Sequence, residues 1–314
     1  MKDNKPQLYN LAIAWNWEFD TDFITGVEHE CSLRGISTYR IDTNHLPQLL
    51  ADLKENKITF EAFYDRASDA DPLFFPLVKW MEEHATCLIN PYHRVAHAID
   101  KANMHLEFIT NGLFVPNTII LPPYNEQRCT SMDEKELKNI GNSFVIKPAN
   151  TTGGGTGVIM NAVSIAEIIK ARQEHRNDKY LIQETIIPAI LESKRAWFRV
   201  YFTFGEIIPC WWDDQTHRYT ELTNDEETRF GLSGLRNTMS IIQRICGLDF
   251  FSSEIALTTD GKFVVVDYVN EVCDMRLQSK YYNGAPDAIV HNIEKLIADH
   301  IKFHLNIKTE TDSR

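Results

Sequence analysis

Strand-length apolar segments alternate with amphipathic ones through the first hundred residues. Residues 8–15 predict a strand, 23–34 a helix, and Gly35 turns the chain into a second strand that ends at Ile41. The alternation continues through 46–54, 62–65, 73–84 and 86–90, so a small parallel-sheet unit over residues 1–97 is the simplest account. A helix over 100–110 follows and closes at Asn111 and Gly112. An extended segment over 114–120 then leads to Pro122 and Pro123, where a linker begins.

The next stretch predicts a helix at 133–140, a strand at 144–148 with a hairpin partner at 157–160, a helix at 164–175 and a strand at 180–184. From Trp197 the pattern is rich in strands. Segments 197–204 and 206–212 predict a hairpin through Gly205, and 253–257 with 262–267 predict another across Asp260 and Gly261. A helix over 235–246 lies between them, and a last helix over 286–304 repeats Ile289, Ile293, Ile297 and Ile301. The fold class is α/β and α+β. Three units are expected: an N-terminal α/β domain at 1–97, a central subdomain at 98–187 and a C-terminal subdomain at 188–314.

With 314 residues, 43% of them hydrophobic, the chain is long enough for two or three packed units. No apolar run reaches membrane-span length and the first residues lack a signal-peptide core, which predicts a cytoplasmic protein with no membrane partner. Six cysteines lie far apart with no Cys-x-x-Cys pair, as expected of reduced thiols rather than a zinc or disulfide framework. The formal net charge of −12 opposes approach to a long polyanion, so nucleic acid is not expected as a partner. ATP is compatible with that charge, because local cations and backbone donors meet its phosphates.

Candidate chemistry starts at the strand Phe144-Val145-Ile146-Lys147-Pro148 and the segment Thr151, Thr152, Gly153, Gly154, Gly155, Thr156, Gly157 that follows it. Four glycines in five residues let backbone N–H groups approach anionic oxygens without Cβ clashes, and Lys147 adds a point charge. The segment lacks both the Gly-Lys-Ser/Thr ending of a P-loop and the Gly-x-Gly-x-x-Gly of a dinucleotide turn. Downstream, Glu254 and Asp267 stand on the two arms of a predicted hairpin, thirteen residues apart. Directly opposite antiparallel partners have Cβ atoms about 5 Å apart, so the two carboxylates suit a shared divalent cation, magnesium above all. Asn270 and Asp274 follow as further candidate ligands.

These features together resemble the ATP-grasp superfamily of carboxylate-amine and carboxylate-thiol ligases, over about residues 8–300. The resemblance implies an ATP-grasp fold with ATP and magnesium held between the central and C-terminal subdomains. It implies that Lys101, after Asp100, and Lys147 contact phosphate, with the glycine segment covering it. Gln183, Glu184, Thr185 and Ile186 are similar to the segment that reads adenine, Glu192 to a ribose contact, and Arg199 to the arginine that steadies the transferred phosphoryl group. Glu254, Asp267 and Asn270 match the metal set. However, family members carry the asparagine two positions after the acid, not three, and a three-residue step in a regular strand points to the opposite face unless a bulge or the strand end intervenes.

The expected chemistry is ATP-dependent activation of a small-molecule or peptide carboxylate as an acyl phosphate, followed by amine attack, with Arg199 and Lys147 as the catalytic cations. A small-molecule kinase on the same fold is the alternative, and a nucleotide-binding scaffold without turnover a third. Trp212, Arg218 and Arg276 are the candidate substrate contacts. Trp211 and Trp212 point to opposite faces in strand geometry, which predicts that at least one is core. A homodimer is left open.

Overall fold

The computed structural model describes residues 5–128, 132, 134–151 and 155–311. A parallel sheet in the order β2-β1-β3-β4 opens the chain, built from β1 (Gln7–Trp15), β2 (Thr38–Ile41), β3 (Ile58–Arg66) and β4 (Cys87–Ile89). Its crossovers carry α1 (Thr21–Leu33), α2 (Leu46–Lys54) and α3 (Phe75–His84). Helices cover both faces. Leu11 and Ile13 cluster with Phe23, Ile24 and Val27 of α1, while Ala12 and Ala14 cluster with Leu49 of α2 and Leu77 of α3. A strand buried on both sides carries apolar residues at consecutive positions, which is why 11–14 reads as a run.

Two short helices lead out, α4 (Tyr92–Ala98) and α5 (Lys101–Thr110). Asp100 caps α5 by accepting from the N–H groups of Ala102 and Asn103, which fixes Lys101 as the first helical residue. A second sheet, in the order β5-β8-β6-β7, comprises β5 (Thr118–Leu121), β6 (Phe144–Pro148), β7 (Ile159–Ala162) and β8 (Tyr180–Glu184). Helices α6 (Glu134–Ile140) and α7 (Ile165–Arg172) cover one face through Leu137, Ile140 and Ile168 against Phe144, Ile146 and Ile182. By strand alternation Lys147, Leu181 and Gln183 lie on the other.

After a two-residue hairpin of β9 (Ile190–Leu191) and β10 (Lys194–Arg195), a third sheet forms in the order β13-β12-β11-β14-β15. Its strands are β11 (Trp197–Thr203), β12 (Glu206–Asp213), β13 (Arg218–Glu221), β14 (Phe250–Leu257) and β15 (Phe263–Asn270), with α8 (Asn224–Arg229) and α9 (Gly234–Cys246) between β13 and β14. Helix α9 is amphipathic and buries Leu235, Met239 and Ile242 against Phe198, Trp211, Phe251 and Ile255. The opposite face continues into the first sheet: Tyr201, Cys210, Tyr219 and Phe250 share a cluster with Leu11, Ile13 and the isoleucines of α10 (Asp287–Thr311). Arg66 of β3 pairs with Asp20 and donates to the Cys273 carbonyl at 2.9 Å, tying the first sheet to the segment after β15. Among the described residues, no helix is long and apolar enough to cross a membrane.

Candidate active site

The third sheet aligns its charged residues in a row. Arg199 on β11 stands opposite Glu254 on β14, and Glu254 opposite Asp267 on β15. Arg199 Nη2 pairs with Glu254 Oε1, whose other oxygen accepts from Trp197 Nε1 at 3.1 Å. Trp212, opposite Tyr219 and two residues past Cys210, lies on the same face, with the Arg199 guanidinium 5.6 Å from its ring centre. Its neighbour Trp211 is buried in the apolar cluster of α9, so the two tryptophans divide between faces.

Strand β15 is irregular on both sides of Asp267. Its register steps from Asp267↔Glu254 to Asn270↔Ser252, so three residues of β15 span two of β14. This bulge returns Asn270 to the Asp267 face and sends both Tyr268 and Val269 into the apolar cluster. The three-residue spacing is thereby reconciled with a shared face.

Two lysines complete the charge cluster from other elements. Lys101 Nζ at the start of α5 lies 3.8 Å from Asp267 Oδ1. Lys147 Nζ on β6 donates to the Val266 carbonyl at 3.0 Å and stands 5.2 Å from the centre of the Tyr268 ring. Burial pushes the Lys147 ammonium down to about 8, with Asp267 and Glu254 acting against that shift and Lys101 reinforcing it. Burial acts to raise Asp267, but Lys101, Lys147 and Arg199 together hold it below the usual carboxylate range. Burial likewise works against the Arg199 charge, which Glu254 and the neighbouring tyrosines nonetheless hold above its ordinary value.

Three cationic side chains thus converge on two carboxylates. Arg199 Nε and Nη1 are buried with no hydrogen-bond partner among the described residues. A buried cation with free donors fits an anionic ligand carrying oxygen acceptors. Glu254, Asp267 and Asn270 offer hard oxygen donors of the kind magnesium takes. Among the described residues no three His, Cys, Asp or Glu side chains form a cluster able to hold a metal by themselves.

The remaining candidates are placed as follows. Thr152, Gly153 and Gly154 lie outside the described residues. Gly155 and Gly157 have φ of +82° and +72°, conformations that favour glycine. Gln183 is buried, donating to Thr118 Oγ1 at 3.0 Å and the Tyr268 hydroxyl at 2.8 Å. Glu184, Thr185 and Ile186 are half-buried at the exit of β8, with the Glu184 N–H bonded to the Asn117 carbonyl. Glu192 lies in the β9–β10 turn, exposed and paired with Arg229 at 3.3 Å. Arg218 is exposed over the Tyr282 ring at 5.3 Å. Arg276 is occupied by Asp274, with its Nη2 2.6 Å from the carboxylate, so neither side chain of that pair is free.

Several residues at the site carried no signal in the sequence. Tyr268 accepts from Gln183 and bonds His105 Nδ1 at 2.6 Å, joining α5, β8 and β15. Burial and Lys147 push the His105 imidazole down to about 4. His105 falls one helical turn after Lys101, a spacing that puts both on one side of α5. Glu271 follows Asn270, and burial, with Asp69 and Asp267 adding to it, pushes its carboxyl up to about 7 against its own N–H and Lys101.

No family model matches the sequence, nor does any curated protein. Solved structures do match in fold. A RimK-domain ATP-grasp protein from Sphaerobacter thermophilus superposes with a TM-score of 0.64 at 18% identity, covering 92% of this chain and 98% of that one. The D-alanine–D-alanine ligase of Bacillus anthracis in complex with ATP gives 0.63 at 13% identity, with 96% and 99% covered. The macrocyclase MdnC of Microcystis aeruginosa, bound with the precursor peptide MdnA, gives 0.62 at 13% identity, with 92% and 99% covered. The chain has the ATP-grasp fold.

Proposed function

We propose that this protein is an ATP-dependent ligase that joins a carboxylate to an amine. A carboxylate oxygen of the substrate attacks the γ-phosphorus of ATP, the bond to the β-phosphate oxygen breaks, and ADP leaves. The amine nitrogen then attacks the acyl carbon, inorganic phosphate departs, and the nitrogen loses a proton. ATP would lie between the second and third sheets, with the adenine toward residues 183–186 and the phosphates toward Lys101, Lys147 and the glycine segment. Arg199 meets charge developing on the transferred phosphoryl group, and Lys147 neutralises the leaving oxygens. Both act through the position of their charge, and positioning rather than covalent participation lowers the barrier. Magnesium held by Glu254, Asp267 and Asn270 would supply further charge neutralisation at the phosphates.

The observation that carries this reading is Arg199, whose buried Nε and Nη1 have no partner among the described residues, set in line with Glu254 and Asp267. A neighbour solved with ATP and another solved with a peptide add support for the nucleotide and for a substrate that is either a small molecule or a peptide. The test is ADP release over a panel of carboxylates crossed with amines, with product mass recorded. ADP release that depends on the amine, with a product lighter by one water than its parts, is expected. ADP release with phosphate retained on a hydroxyl would replace the ligase by a kinase. In Glu254→Gln combined with Asp267→Asn, turnover at limiting magnesium should fall sharply while the fold persists. Unchanged turnover would remove the metal assignment.

A further inference from the structure

The turn between α7 and β8 grips the glycine segment at both ends. Asp178 is buried, and its carboxylate accepts four hydrogen bonds: from the N–H and side-chain amide of Asn150, both at 2.9 Å, and from the N–H and hydroxyl of Thr151 at 3.1 and 2.6 Å. At the other end, a Cβ on Gly157 would stand 3.1 Å from Pro148 Cγ and 3.2 Å from His175 Nε2, so this glycine closes against the same turn. Lys179 reaches in the opposite direction. Its Nζ lies 3.0 Å from Asp100 Oδ2, on the carboxylate that caps α5. The Lys179 carbonyl accepts from the Ala149 N–H at 2.9 Å, and the Ala149 carbonyl from the Lys101 N–H at 3.2 Å.

We propose that Asp178 and Lys179 are positioning residues for the nucleotide. Asp178 fixes Asn150 and Thr151, where the glycine segment leaves β6. Lys179 fixes the first turn of α5, which presents Lys101. Two adjacent side chains of one turn therefore set the spacing between the end of β6 and the first turn of α5. This inference rests on the ATP reading above.

Calorimetry of ATP with magnesium, run on wild type, Asp178→Ala, Asp178→Asn and Lys179→Met, tests it, with urea unfolding and steady-state kinetics on each. Loss of a charged acceptor with four donors should weaken ATP binding in Asp178→Ala by about tenfold or more, seen in KM for ATP with a smaller change in kcat. Asp178→Asn keeps an oxygen for Thr151, and a flip of the Asn150 amide restores the remaining bond, so most of the affinity should return. Lys179→Met should lose about two- to fivefold, as for a half-exposed ion pair. If Asp178→Ala is less stable to urea yet binds ATP like wild type, the residue only supports the fold and the inference is overturned. If wild type itself binds no ATP, the nucleotide reading falls and takes this inference with it.

Discussion

Arg66, which is buried, and Arg199, which is partly buried with its Nε and Nη1 out of contact with solvent, each pair with a carboxylate, and they differ in what surrounds the pair. Arg66 donates from Nε and Nη2 to the two oxygens of Asp20, both at 2.8 Å, from Nη1 to the Tyr64 hydroxyl at 3.1 Å and from Nη2 to the Cys273 carbonyl. Arg199 pairs with Glu254 through Nη2 and leaves Nε and Nη1 without acceptors. A buried donor left unmet costs on the order of 1–3 kcal/mol. The saturated pair holds two sheets together. The unsaturated pair carries a cost that an arriving anion would relieve, which supports the proposed role of Arg199; unmet donors alone do not make a site, since buried Arg172 also leaves Nε and Nη1 without partners among the described residues.

The comparison breaks most visibly at Arg199. Replacing it by Met should reduce turnover by about a thousandfold or more, the scale for an arginine acting on a transferred phosphoryl group, while unfolding in urea changes far less than turnover does. Turnover within a few-fold of the parent would show that the free N–H groups serve no substrate. Next is Arg66→Met, which strands the Asp20 charge in the core. A loss of about 3–5 kcal/mol of unfolding free energy is expected, and urea titration with a constant m-value measures it. A smaller loss would mean that water reaches Asp20 in the variant.

The third expected effect is on pH dependence. The Lys147 ammonium, pushed down to about 8, is charged below that pH and neutral above it. ATP affinity should therefore fall as pH rises from 7 to 9, approaching tenfold per unit at the upper end. Lys147→Arg should flatten the profile, because a guanidinium stays charged throughout. Binding near pH 8 should also take up a proton, visible as a heat that varies with the buffer's ionisation enthalpy; a buffer-independent heat contradicts this. The smallest effect belongs to the neutral network beside these charges. Tyr268→Phe removes one hydroxyl from between His105 and Gln183 and should cost about 1–2 kcal/mol in stability, with ATP affinity changed less than in Asp178→Ala.

Local pattern carried the fold a long way, and its failures share a cause. The hairpin across Asp260 and Gly261 is readable because both arms are apolar and meet at a turn pair, and it delivers Glu254 opposite Asp267 from spacing alone. The bulge that brings Asn270 round is not readable, since it depends on Tyr268 and Val269 both finding room in a cluster built from distant helices. Helix α8 is not legible in the sequence because Asn224–Arg229 has no apolar face. Its start is set by a capping box between Thr223 and Glu226, too short a signal to stand alone. Edge strand β13 alternates weakly, with only Tyr219 buried. The pairing of Arg276 with Asp274, two residues earlier, is not legible in a linear sequence either. The contact of His105 with Tyr268 spans 163 residues, and no local rule reaches that far.

The packing of α10 bears on how such a chain is made. Ile293, Ile297 and Ile301 lie against Phe23, Ile24 and Val27, residues translated about 270 positions earlier. Until those isoleucines are available, the cluster that Phe23, Ile24 and Val27 share with Leu11 and Ile13 lacks one wall. Contacts of such long sequence separation close slowly and expose apolar surface while they wait. β1 and α1 are therefore sealed late, and the chain is a candidate for chaperone capture through the opening that α10 fills.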